Sequence, residues 1–277
     1  MMTRTAKIAG PAIIKKGSYY LYTEEDITVK TELTVTENKT SFFGKTSEHM
    51  DTVKHTITCK PAPMVTANVL TMLFGPFMNI TVGTRMYGAS PDDIIIWTKA
   101  GKQHTYKVGA ITGLPGLTFS AGVPLFDGDV TFTAIGDCSE VMTTAGHFSA
   151  EAAVAFTDVS YDDSKEFQLV YGAAWGAAPF DAIETVDGIK IKFDLALEDD
   201  KNDSHGLYDA TVTGFGATAT FTPIGITEAQ VQARMGIQGA GAGRGVRRET
   251  FADNLVITTG VVGDPTFTLY NCSLSGM

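Results

Sequence analysis

Along residues 27–35 hydrophobic and polar positions alternate without a break. Ile27, Val29, Thr31, Leu33 and Val35 fall on one side, and Thr28, Lys30, Glu32 and Thr34 on the other. A period of two predicts a half-buried β-strand. The pattern returns at Val53, His55, Ile57 and Cys59, where Pro61 and Pro63 end it because proline cannot continue a ladder. Residues 67–74 are a short apolar run that Gly75-Pro76 stops, which predicts a helix. Ile94-Ile-Ile-Trp97 reads as a buried strand, with residues 105–108 as its partner. Further on, Ile189, Ile191, Phe193, Leu195 and Leu197 alternate with Lys190, Lys192, Asp194 and Ala196. Strands follow near residues 208–212 and 217–222. Thr227-Glu-Ala-Gln230 fits a capping box at a helix start. Residues 255–257 and 266–269 complete the series, and a strong strand at 129–135 lies between the two sets.

The two sets are in step. Ile27, Lys30, Leu33, Gly44, Thr56, Thr58 and Pro61 are matched by Ile189, Lys192, Leu195, Gly206, Thr218, Thr220 and Pro223, a constant offset of 162 (189 against 27). After a one-residue slip, Asp92, Ile96, Thr98 and Thr105 meet Asp253, Ile257, Thr259 and Thr266, an offset of 161 (253 against 92). The spacing predicts a mostly β chain holding two tandem copies of one unit, each with a short flanking helix. The boundaries are an N-terminal arm at 1–18, unit one at 19–116, an embellished connection at 117–179 and unit two at 180–277. Matched core positions say little about function, since packing alone holds them. The polar faces also agree: Lys30 with Lys192, and Glu32 with Asp194. Two readings stay open for that agreement: ordinary charge pairing on a wet sheet, or two faces held in equivalent surroundings. The stretches 37–50 and 198–206 read as long polar excursions, near neutral in the first copy and acidic in the second.

Composition narrows the classes. A chain of 277 residues with 44% hydrophobic residues builds a sizeable core. A net charge of −10 argues against a tight, sequence-reading nucleic-acid binder. It leaves room for a surface that a polyanion slides past. No run approaches a membrane span, and no apolar leader follows the first methionines. Three widely spaced cysteines, Cys59, Cys138 and Cys272, read as reduced thiols of a chain made in a cytoplasm.

Chemistry-bearing motifs are weak. The glycines from Gly236 to Gly245 follow a predicted helix, whereas a phosphate loop needs them before one. They read as a turning loop whose Arg244, Arg247 and Arg248 suit an acidic neighbouring subunit. The segment from Asp200 to Gly206 lacks the glycine and glutamate positions of a calcium loop. The five histidines show no metal spacing, and His55 reads as a core residue. Asp92-Asp93 and Asp162-Asp163 read as surface turns. The chain is therefore read as non-enzymatic, with no cofactor and no metal.

The order strand, long excursion, strand, proline, short helix, strand, strand resembles the tail tube proteins of long-tailed bacteriophages. The segment from Ala219 through Pro223 to Val231, running into Gly236–Gly245 and Asn254-Leu-Val-Ile257, carries the likeness best. The stretches from Gly17 to Val35 and from Thr56 to Pro61 add to it. The resemblance implies a β-sandwich-like unit whose first long strands join those of neighbours into a continuous inner barrel. Rings then stack into a tube through loops and terminal arms, and DNA passes down the lumen without specific binding. A duplicated chain implies three chains per ring with pseudo-sixfold geometry; six chains, with unit two decorating the exterior, is the other arrangement. The implied lumen lining is Thr28, Lys30, Glu32, Thr34, Lys190, Lys192 and Asp194. Implied inter-ring or inter-subunit contacts are the N-terminal arm and Asn38, Lys45, Glu48, Asp199, Asp200, Asp203, Arg244, Arg247 and Arg248. The implied partners are other copies of the chain, other tail proteins and phage DNA, in a virion assembled in the host cytoplasm. Two alternatives stand beside this: a distal tail or baseplate ring protein of the same fold, and a carbohydrate-binding surface β-protein using exposed aromatics such as Tyr20 or Trp175.

Overall fold

The computed structural model describes residues 2–63, 67–78, 80–88, 91–120, 123–142, 172–176, 178, 180–202, 206–235, 252–258 and 267–274. The chain is mostly β, and its described residues include two short α-helices. Two compact units are present. The first takes the described residues of 1–116, 126–157 and 193–216; the second takes those of 117–125, 158–192 and 217–277. These units do not follow the sequence halves, because residues 193–216 of the second half pack with the first unit.

The first unit is built on a long hairpin, β4 (Ile27–Thr40) and β5 (Gly44–Cys59). β1 (Met2–Ile8) flanks β4 from Met2↔Leu33 to Ile8↔Ile27. β11 (Val130–Ala134) flanks β5, and β8 (Gly109–Gly113) pairs with β11, so the order is β1-β4-β5-β11-β8. A second sheet runs β12-β7-β6-β2-β3, from β2 (Ala12–Lys16), β3 (Tyr19–Tyr22), β6 (Ile94–Thr98), β7 (Lys102–Tyr106) and β12 (Cys138–Met142). The inward residues of both sheets form one core: Ile27, Val29, Ile57, Ile111, Val130 and Phe132 from the first, Ile14, Leu21, Ile94, Ile96 and Tyr106 from the second. Helix α1 (Ala67–Phe74) adds Val69, Met72 and Leu73, and a 3₁₀ turn at Gly75–Phe77 follows it at the proline.

Two expectations change here. The N-terminal arm is no free arm: Met2–Ile8 is an edge strand of the first sheet, and Ala12–Lys16 lies between β6 and β3 inside the second. The stretch 37–50 is no loop excursion. The β4–β5 ladder runs through it to Thr40↔Gly44, with register shifts after Thr34 and Asn38. Beyond Leu33 this ribbon has no flanking strand among the described residues, and its polar residues on both faces hide the period of two.

The second half of the chain also holds a long hairpin, β14 (Glu184–Asn202) and β15 (Gly206–Ile224). β9 (Gly116–Ser120) pairs with β14 through Ile189↔Phe119 and Ile191↔Leu117. β10 (Val123–Asp127) lies beyond β9, giving the order β10-β9-β14-β15. In the second unit β13 (Gly172–Trp175), β16 (Asp253–Thr258) and β17 (Phe267–Cys272) form a further sheet. Phe119 meets Phe267 edge to face at 5.2 Å. Helix α2 (Glu228–Arg234) starts at Thr227, whose side chain accepts from the Gln230 N–H while the Gln230 side chain accepts from the Thr227 N–H. Losing such a cap costs about 1 kcal/mol. At the other end, the Arg234 guanidinium stacks on Trp175 at 4.6 Å and pairs with Asp253 at 3.2 Å.

Gly44 and Gly206 open the return strands of the two hairpins with φ of 68° and 63°. A Cβ on Gly44 meets nothing within 4 Å, whereas one on Gly206 overlaps the Asp51 carbonyl oxygen of β5. Gly44→Ala is expected to lose about 1 kcal/mol, the cost of a left-handed residue. Gly206→Ala is expected to lose clearly more, because β5 must also move. Urea unfolding of the two variants checks this, and equal losses would contradict it.

Candidate functional site

The outward face of the first sheet is built from threonine and lysine. Because side chains alternate, every residue facing away from the core belongs to one cross-strand set. Three rows follow from the register. Lys7, Thr28, Thr58 and Thr131 lie side by side, as do Thr5, Lys30, Thr56 and Thr133, then Thr3, Glu32 and Lys54. Lys30 and Thr34 are exposed, and Thr28 and Glu32 are half-buried. Lys30 pairs with Glu32 along its own strand at 2.6 Å. β1 thus adds Thr3, Thr5 and Lys7 to the face, residues that a reading of 1–18 as an arm leaves out.

The second hairpin repeats this chemistry. Lys190, Lys192 and Asp194 are exposed on β14, while Ile189 and Ile191 between them are buried. On β15 Thr218, Thr220 and Thr222 are exposed, alternating with half-buried Ala219 and Phe221. The Thr56 and Thr58 positions of the first hairpin correspond to Thr218 and Thr220 of the second.

Part of the first face is covered within its own unit. Lys54, Thr56, Thr112, Thr131 and Thr133 line a half-open pocket of about 500 Å³ together with Tyr87, Leu197, Glu198, Asp199 and Ala210. Lys54 Nζ donates to both Asp199 carboxylate oxygens at 2.9 and 2.8 Å. Asp209, buried, accepts from the backbone N–H groups of Tyr87 at 3.1 Å and Ala210 at 2.8 Å. Thr211 Oγ1 donates to Asp200 at 2.5 Å. Asp199 and Asp200, expected at a ring-to-ring contact, are therefore engaged inside the first unit. Asp203, Arg244, Arg247 and Arg248 lie outside the described residues, as do the glycine loop and Asp162-Asp163.

The ribbon at the tip of β4–β5 holds Asn38, Lys45 and Glu48. Glu37 and Glu48 face each other across it, and Lys45 bridges both, at 3.3 Å to Glu37. Lys39 adds a second cation on Glu37 at 2.7 Å, and these lysines lower the Glu37 pKa. Asn38 Nδ2 donates to Ser47 Oγ at 3.0 Å. With its charges paired locally, the ribbon ends in Phe42 and Phe43, which are 88% and 77% exposed and stack edge to face. Sequence periodicity gives no sign of this aromatic tip.

The remaining candidates are structural. Trp97 is buried, stacks on Tyr20 and donates to Gln103 Oε1 at 2.9 Å. Trp175 is buried and donates to the carbonyls of Asp253 and Cys272. Asp92 and Asp93 pair with Lys16 and Lys107. Burial, then Asp129, pushes the Cys59 thiol up to about 12. Among the described residues no group of three or more His, Cys, Asp and Glu side chains is placed to hold a metal, and no helix is long and apolar enough to cross a membrane.

His55 sits in the first core against Tyr106, with Nδ1 2.9 Å from Thr31 Oγ1 and Nε2 buried without a hydrogen bond. Burial lowers its pKa, against smaller opposing effects of the Gly136 backbone and Asp137. The folded state therefore favours the neutral ring. Its contribution to stability is complete above about 6.5, the unfolded value, and is lost as pH falls towards the lower folded value. Thermal melts from neutral to mildly acidic pH are expected to show a falling Tm that His55→Gln flattens. An unchanged slope in the variant would contradict this.

No protein-family model matches this chain, and no curated protein is detectably similar to it.

Proposed function

We propose that the chain is a structural building block that assembles into stacked rings forming a phage tail tube, with DNA passing through the lumen. The observation that carries this reading is the equivalence of the two hairpin faces. Thr28, Lys30 and Glu32 of the first hairpin correspond to Lys190, Lys192 and Asp194 of the second, and both sets stand on the side away from the apolar residues. Burial does not require such agreement, since these side chains reach solvent. Two hairpins facing one lumen account for it, and three chains would then supply six of them.

The chemistry of the face suits passage of a polyanion. Threonine hydroxyls offer hydrogen bonds without charge, and Lys30 is balanced by Glu32. Apolar contact with the bases is absent from such a surface, and the overall charge of −10 opposes tight retention of DNA. Phe42 and Phe43, at the end of a ribbon reaching past its flanking strands, suit a contact between successive rings. Exposed aromatic pairs of this kind are typical anchors of protein interfaces. The carbohydrate-binding alternative loses its tryptophan platform, because Trp97 and Trp175 are both buried.

Negative-stain microscopy of concentrated protein tests the reading. Long hollow tubes are expected. Isolated rings that never stack would favour the distal ring protein, and a persistent monomer would overturn both. In Phe42→Asp with Phe43→Asp the fold is expected to survive, since both rings are exposed, while tubes shorten to rings or short stacks. Tubes of unchanged length would remove the tip from the stacking contact.

A further inference from the structure

β15 is an unusual edge strand. In its sheet β14 lies on one side, and over residues 214–224 no strand lies on the other among the described residues. Among the described residues its Ala210–Val212 stretch is engaged there, through backbone hydrogen bonds with Gly83, Thr84 and Met86. From Ala210 to Thr227 the sequence contains no ionisable side chain, and threonine, alanine and glycine dominate it. Gly216 has nothing within 4 Å of where a Cβ would stand, and Thr218, Thr220, Thr222 and Ile224 are exposed. Soluble proteins guard long edges with lysine, proline or a bulge, because an open row of N–H and C=O groups recruits another strand. Over 214–222 this edge has none of those guards, so it is built to be covered.

The chain offers a complementary strand. β1 is the outer strand of the first sheet, exposed at six consecutive residues, Met2 to Lys7. It carries Arg4 and Lys7, and no acidic residue precedes Glu24. The residues at the root of the second hairpin have the opposite sign: Asp181, Glu184, Asp187 and Glu228 fall within 180–188 and 223–228, stretches with no lysine or arginine. β1 presents Thr3, Thr5 and Lys7 on the same face as Lys30, as β15 presents Thr218, Thr220 and Thr222 beside Lys190 and Lys192. Joining the two edges extends one threonine–lysine face across the junction.

We infer that the β15 edge over Gly214–Thr222 pairs with β1 of a second copy of this chain, a head-to-tail contact by which copies close into a ring. This rests on the ring-forming reading above and replaces one part of it. β4 lies between β1 and β5 as far as Leu33, and β14 between β9 and β15 over Ile189–Ile191, so at these roots the first long strands have no free edge with which to join a neighbour.

The test uses the full chain with exposed Cys138 and half-buried Cys272 changed to serine, and with Thr5→Cys and Thr220→Cys introduced singly and together. Assembled protein is treated with a short bis-maleimide and run on a denaturing gel. The double variant is expected to give a ladder of dimers and higher species, and each single variant only monomer. A dimer from Thr220→Cys alone means that β15 pairs with itself, and overturns the inference. Rings or tubes in the microscope with no ladder also overturn it, while leaving the proposed function standing. A protein that stays monomeric overturns both.

Discussion

The backbone of a long β-hairpin sets the terms for the rest of this structure. Each hairpin satisfies only its inner hydrogen bonds, and its two outer edges need partners or exposure to water. The chain meets this unevenly. At the root of β4–β5 both edges are taken, by β1 and β11, and the core of the first unit lies beneath. Past Leu33 and Val53 the ribbon has no flanking strand among the described residues, and it is polar on both faces and aromatic at its end. In the second hairpin β9 covers β14 over Ile189–Ile191, while among the described residues no strand covers the outer edge of β15 beyond Val212. Edges and tips of this kind are places where a further strand or surface can be added.

Charge placement is consistent with that division. Lysines and carboxylates on the exposed strands are mostly paired with near neighbours: Lys30 with Glu32, Lys45 with Glu37 and Glu48, Lys54 with Asp199. Exposed pairs of this type contribute at most about 1 kcal/mol each to stability. Their larger effect is on the field of the surface. A face of hydroxyls and paired charges has little grip on a phosphate backbone, and less again in a chain of net charge −10.

Strands with one buried face were legible in the sequence. Residues 27–35 and 189–197 alternate because one side meets a core, and they fold as expected. Helix α1 ends where Gly75-Pro76 requires, and α2 begins at the capping box of Thr227. What escaped was set by long-range pairing. Met2–Ile8 alternates weakly and was legible only as an arm, until β4 supplies its partner. Residues 37–50 have no apolar side, so nothing in them marks a strand. Among site residues, the outward placement of Lys30, Lys190 and Lys192 follows from alternation alone. The engagement of Asp199 by Lys54 does not, because 145 positions separate the two.

The central claim is that both hairpin faces line one enclosed channel. Single cysteines at Lys30 and at Lys192, in a Cys138→Ser background, test it through their reaction with a maleimide carried on a polymer too bulky to enter a tube. In the unassembled chain both sites are expected to react at similar rates. In assembled tubes both are expected to be protected together, while a small maleimide still reaches them. Reaction at Lys192→Cys as fast in tubes as in the free chain, with Lys30→Cys protected, would place the second hairpin on the outside and contradict the account.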